Sequence, residues 1–212
     1  VMAQNLEWPI HLQHLSSAQS VDLLAYAQSK NILLSGEVPP HHLCLTEEAC
    51  LEYGANAKMN PPLRSEKDRQ ALHQGLRDGT LEAIATDHAP HTVEEKTGSL
   101  SEVPFGIIGL ETAVPLSLTH LYHKNLLTLT DLIAKFTVGP CSILGLPYGS
   151  IKEGHPADLT LLDLDIEQRI DVNSFRSKAR NSPFDNWRCK GKAIGTMVDG
   201  KWVYRDEGHL LY

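Results

Sequence analysis

Three places in the sequence put imidazole and carboxylate groups at or near the ends of short apolar runs. The most pointed is Ala83-Ile84-Ala85-Thr86-Asp87-His88-Ala89-Pro90-His91, where an apolar run stops in an aspartate, a histidine, a proline and a second histidine. Such a segment is a poor way to continue a strand and a good way to finish one at a reactive site. His11 and His14 stand three apart at the end of another short run, and His41-His42 follow Pro39 and Pro40 after a third. Imidazole and carboxylate are the usual ligands of a catalytic divalent cation, with zinc the default. Plainer readings stay open for two of the three. His11 and His14 are equally one ligand plus a neighbour, or two satisfied surface groups, and His41-His42 can hydrogen-bond across a loop mouth. Asp87 is the sharpest candidate, because a carboxylate closing an apolar strand is costly to desolvate unless a cation or donors meet it.

Elements must hold these groups in place. The alternating segment around Ile10–Leu12 leads to Ser16 or Ser17 as an N-cap, and Val21, Leu24, Ala25 and Ala27 then recur at helical spacing. A second apolar run, residues 32–37, meets Pro39 and Pro40, which forbid a continued central strand. Residues 46–54 read as a helical turn or two opened by Thr46. Asn60-Pro61-Pro62 is a proline-fixed turn, and residues 65–79 form an amphipathic helix capped by Ser65 and stopped by Gly79. Residues 81–87 are the next strand. Strand, loop, helix, strand is the grammar of a parallel α/β protein. In a parallel barrel, polar residues at the C-terminal strand ends converge on the face that holds the active site.

After a polar loop, residues 92–103, two further helical patterns cover about 107–125 and 128–146. From Tyr148 the composition turns to short alternating strands, residues 149–165 and 191–204, and Val198-Asp199-Gly200-Lys201 gives the signal of a tight hairpin. An irregular stretch around 176–184 links them. The expected organisation is an α/β portion over residues 1–147 and a small β-rich portion over 148–212.

Composition narrows the function classes. The chain has 212 residues, 42% of them hydrophobic, and a formal net charge of -7. Without a basic run, a nucleic-acid surface is not expected, and no apolar stretch approaches the roughly 18 residues of a membrane span. A soluble, cytoplasmic setting is the expectation. Cys44, Cys50, Cys141 and Cys189 show no paired spacing and read as free thiols in a reducing compartment. The N-terminus has no basic, apolar leader pattern and reads less like a protein start than like the middle of something.

Taken in order, "HLQHLSS", "GEVPPHHLCLT", "KMNPPLR", "IATDHAPHTVEEK", "PFGIIGLET", "GSIKEGHPADLTLLD", "RNSPFDNW" and "GTMVDGKWVY" resemble the C-terminal half of dihydroorotase, in the long form of bacteria and multifunctional pyrimidine enzymes. "ADLTLLD" marks only the wider amidohydrolase superfamily, whereas "NPPLR" with "DHAPH" and "EEK" is specific. The resemblance implies the C-terminal portion of a TIM-like (β/α)8 metal-dependent hydrolase barrel, about strands six to eight, followed by a small β-rich domain. It implies reversible cyclisation of N-carbamoyl-L-aspartate to L-dihydroorotate in pyrimidine biosynthesis, with a binuclear zinc centre in the complete enzyme.

Residue by residue, His14 matches the family's zinc-ligand histidine. Asp87 matches the carboxylate that binds metal and acts as general acid and base. Asn60, His91, Phe105 and Gly106 match positions that contact dihydroorotate. Pro39 stands where the family pattern has threonine. The His-x-His-x-Arg strand that begins family members is absent, and a whole barrel needs about 250 residues. The implied partner is therefore a missing N-terminal barrel half or another subunit, with aspartate carbamoyltransferase as a further candidate, and the chain alone is expected to be inactive. Two alternatives remain: a non-catalytic dihydroorotase-like structural partner, and an allantoinase- or hydantoinase-like hydrolase. Residues 92–103 are expected to be a mobile loop that orders over the substrate, with Glu94, Glu95 and Lys96 as a solvated charged turn.

Overall fold

The computed structural model describes residues 4, 5 and 7–209; the rest of the N-terminal segment read above lies outside the described residues. Three short parallel strands, β1 (Ile10–Leu12), β2 (Leu34–Val38) and β3 (Ala83–Ile84), lie side by side in chain order. Ile10 stands opposite Leu34, and Glu37 opposite Ala83. Parallel neighbours need long crossovers, and helices α1 (Ala18–Ser29) and α4 (Glu66–Asp78) lie within them. Between β2 and α4 come two short helices, α2 (Pro40–Cys44) and α3 (Ala49–Tyr53).

The caps explain the helix boundaries. Ser17, rather than Ser16, accepts from the Ser20 N–H, and Ser65 accepts from the Asp68 N–H. Gly79 ends α4 at φ +88, a conformation that suits glycine. Val21, Leu24, Val38, Leu72, Leu76 and Leu81 join in one apolar core beneath the strands. Thr46 does not cap the following helix, which starts at Ala49 without a side-chain cap bond.

The two later helical patterns are shorter than their spacing suggests. The first begins only at Ala113, as α5 (Ala113–Ser117), and continues as a π-turn over Leu118–Tyr122. Ile107 is instead bridged in parallel to His88, and its carbonyl accepts from the Ala89 N–H at 2.8 Å. That tertiary contact overrides the helical spacing of residues 107–112. The second splits into α6 (Leu129–Phe136) and α7 (Val138–Leu144) at Thr137, whose φ of -126 and ψ of -90 are not helical.

C-terminal to these, β4 (Leu159–Arg169), β5 (Arg188–Val198) and β6 (Lys201–Arg205) form an antiparallel sheet. Residues 149–158 carry no strand, so β4 begins later and runs further than the alternation predicts. The hairpin stands where expected, with Asp199 and Gly200 both at positive φ. A second apolar cluster combines Met59, Leu63, Ile107 and Leu116 with Ile170, Phe184 and Cys189, so the sheet end and the α/β end share a core. All four cysteines are free. No described helix is long and apolar enough to cross a membrane.

Candidate functional site

The parallel strands deliver a row of polar groups. His11 on β1 pairs in register with Ser35 on β2, and Ser35 and Glu37, two apart, point to the same face. His11 Nδ1 lies 2.8 Å from Ser35 Oγ, and His11 Nε2 lies 3.1 Å from Glu37 Oε2. The second Glu37 oxygen stands 3.0 Å from His14 Nδ1, close enough for attraction but without hydrogen-bond alignment. On its far side, His14 Nε2 lies 3.6 Å from Asp87 Oδ1. Ser35, His11, Glu37, His14 and Asp87 thus form one continuous line.

Both ends of the His14–Asp87 pair sit on unusual backbone. His14 has φ +54 and Asp87 has φ +47, the left-handed region that non-glycine residues seldom enter. Such conformations cost about 1–3 kcal/mol each and concentrate at functional sites. Burial pushes the Asp87 carboxyl above its ordinary range; His14 opposes that shift and the Glu37 charge adds to it. Glu37, 8% exposed, is absent from the sequence-level candidates. Its signal was legible: a lone acid inside the apolar run 32–38.

His41 and His42 are buried, at 2% and 3% exposure, with rings stacked edge to face at 4.5 Å. His41 Nε2 and both His42 ring nitrogens have no protein hydrogen-bond partner, so these histidines do not bond across a loop mouth. Burial, then the positive neighbours His14 and Arg64, pulls His42 down to about 3, and burial likewise keeps His41 neutral. His120 is lowered to about 4, again first by burial. Because these folded-state values lie below the unfolded value near 6.5, the unfolded chain binds more protons between about pH 6.5 and 4. Stability therefore falls as pH falls through that window, by up to about 1.4 kcal/mol per pH unit for each group. Urea midpoints at pH 7.5 and 5.5 check this: the midpoint is expected to drop at pH 5.5, and His120→Gln to flatten the dependence. Equal midpoints would contradict it.

Of the residues matched to substrate contacts, His91, Phe105 and Gly106 meet directly. His91 Nε2 lies 2.9 Å from the Phe105 carbonyl and Nδ1 lies 3.3 Å from Glu95 Oε2. Gly106 sits at φ +120, and a Cβ there would fall 2.4 Å from Ala89 Cβ, so the close approach demands glycine. Its N–H donates to the carbonyl of Lys58, two residues before the exposed Asn60, which places Asn60 beside the same segment. The Asp87–His91 run and the 105–107 segment are joined at the His88–Ile107 bridge.

Two groups here escaped the sequence reading. Asn181, 4% exposed, donates to the carbonyls of Ala89 and Gly106 and accepts from the His91 N–H at 3.1 Å. Lys96 is 8% exposed, which corrects the expectation of a solvated charged turn for that residue; Glu94 and Glu95 are exposed as expected.

The cation question can be put to this donor set. His14 and Asp87 offer an imidazole nitrogen and a carboxylate oxygen facing each other, which fits two positions on one divalent cation. Among the described residues, no group of three or more His, Cys, Asp or Glu side chains is arranged to hold a metal ion. Two cavities, of about 450 and 610 Å³, are lined by none of His14, Glu37, Asn60, Asp87, His91 or Gly106. The candidate site is the open rim at the strand ends.

Residues 4–203 match the amidohydrolase family. A dihydroorotase of Bacillus licheniformis is 49% identical over 95% of this chain and 47% of its own length. A dihydroorotase of Anaplasma phagocytophilum is 48% identical over 93% of this chain and 44% of its own. The chain spans about half the length of the curated relatives it matches. Among solved structures, the L-hydantoinase (dihydropyrimidinase) of Arthrobacter aurescens superposes with a TM-score of 0.89 at 32% identity, covering 92% of this chain and 45% of that one. A dihydropyrimidinase of Brevibacillus agri shares the fold, with a TM-score of 0.90 at 23% identity over 97% of this chain and 47% of that one. The expected α/β portion of a TIM-like barrel with a β-rich part behind it is borne out by these neighbours.

Proposed function

The chain belongs to the amidohydrolase family, and from that premise we propose that it is the C-terminal part of a dihydroorotase. The activity is reversible cyclisation of N-carbamoyl-L-aspartate to L-dihydroorotate, a cytoplasmic step of pyrimidine biosynthesis. The observation that carries the reading is the His14–Asp87 pair beyond the ends of β1 and β3, on either side of β2, with the His91–Phe105–Gly106 cluster joined to the loop after Asp87. Relatives named dihydroorotase at 47–49% identity support the choice of substrate.

In this reading His14 and Asp87 hold zinc, and the remaining ligands of a binuclear centre come from an N-terminal barrel half. Zinc held there would supply Lewis acidity toward an amide carbonyl oxygen and toward a water. Asp87 would take a proton from the attacking water and hand it to the amide nitrogen that leaves as the ring C–N bond breaks, one carboxylate serving both steps. Glu37, itself held by His11, faces His14 Nδ1 from behind, and its charge favours that ring orientation. The substrate carboxylate is met by the Asn60 amide and by His91. The proposed division runs between residues 147 and 148, with the partial barrel before it and the β-rich unit after it.

The test is a substrate panel on this chain fused behind the N-terminal half of the Bacillus licheniformis relative. Turnover of dihydroorotate is expected, with hydantoin, dihydrouracil and allantoin hydrolysed far more slowly. Preference for any of those three would favour the cyclic-ureide alternative.

A further inference from the structure

We propose that Lys96 is a positioning residue that, with Asn181, fixes the backbone against which the substrate is bound. The proposal rests on the reading above for what is bound, but its structural content stands by itself. Residues 103–107 form no regular strand, yet five successive carbonyls each accept from a named donor. Val103 O accepts from Lys58 Nζ at 2.5 Å, and Pro104 O from Lys96 Nζ at 2.9 Å. Phe105 O pairs with His91 Nε2, and Ile107 O accepts from the Ala89 N–H. Gly106 O accepts twice, from Lys96 Nζ at 3.0 Å and Asn181 Nδ2 at 3.1 Å.

Among the described residues, Lys96 is the one side chain that grips two of these carbonyls. It reaches them from the 92–103 loop, so the same ammonium ties that loop to the binding segment. Among the described residues no carboxylate pairs with Lys96, and burial together with the nearby Lys58 lowers it to about 8. A buried cation with only neutral partners is an expensive way to hold a loop. A hydrophobic residue would pack there without the desolvation cost. What the ammonium adds is direction: one point charge that sets Pro104 O and Gly106 O at fixed distances, and with them the Phe105-Gly106 peptide between.

The test has two independent readouts on Lys96→Met. Hydrogen exchange on the 212-residue chain is expected to show the Gly106 and Ile108 amides, which donate to Lys58 O and Asn181 O, exchanging at least tenfold faster, with core amides in α1 and α4 unchanged. In the fused enzyme, KM for dihydroorotate is expected to rise about tenfold with kcat within about twofold, the pattern of lost uniform binding. Unchanged exchange at Gly106 and Ile108, or a KM equal to wild type, would overturn the proposal. If Lys96→Met yields no folded protein, Lys96→Leu, which likewise has no donor, is measured the same way against the same outcomes. Should the wild-type fusion itself lack turnover, the functional reading fails, and the exchange readout alone decides for or against Lys96.

Discussion

Asp87→Asn is expected to lower kcat of the completed enzyme by about a thousandfold, the loss typical of removing a general acid and base. The substitution is the right probe because of the backbone. At φ +47, alanine would be strained, whereas asparagine enters the left-handed region readily. The amide keeps the shape of the carboxyl but can neither take a proton from water nor carry the charge that faces His14. Stability should hardly change, since Asp87 is half-buried and its carboxyl is disfavoured there by burial and by Glu37. Kinetics with a urea titration on the same preparation decide the matter. A fall of less than tenfold with an unchanged midpoint would remove Asp87 from the chemistry.

The second large effect is structural. Phe184→Ala should destabilise the chain by about 3–5 kcal/mol, the cost of deleting a large buried side chain that its neighbours cannot replace. Phe184 is 1% exposed, packs edge to face on Trp187 at 5.1 Å, and belongs to the cluster that contains Met59, Ile107 and Leu116. Those residues come from both sides of the proposed 147/148 division. A single urea transition, shifted as a whole by the substitution, is therefore expected. A loss below about 1 kcal/mol, or two separate transitions, would contradict a shared core.

Much of the arrangement was written locally in the sequence. Ser17, Ser65 and Gly79 mark helix ends by side-chain and backbone chemistry that acts within a few residues, and Asp199-Gly200 marks its hairpin in the same way. Asp87 was legible because an acid at the end of an apolar strand needs a reason. What was not legible depends on contacts between distant segments. Residues 107–112 carry helical spacing, yet Ile107 is claimed by His88 and Ile108 by Asn181. Lys96 sits among charged neighbours and looks solvated until residues 104 and 106 fold over it. Asn181 lies in a stretch that looks irregular, and its role appears only when Ala89, His91 and Gly106 are brought to it from 75 to 92 residues away. Glu37 is the intermediate case: its spacing from Ser35 gives the face, but its partners lie on β1.

The most direct measurement of the central claim is zinc content and carbamoyl-aspartate cyclisation, run on this chain alone and on the chain fused to an N-terminal barrel half. The account predicts weak zinc binding and no useful turnover for the chain alone, and stoichiometric zinc with cyclisation for the fusion. Cyclisation by the chain alone, or a folded, zinc-loaded fusion that does not cyclise carbamoyl-aspartate, would contradict it.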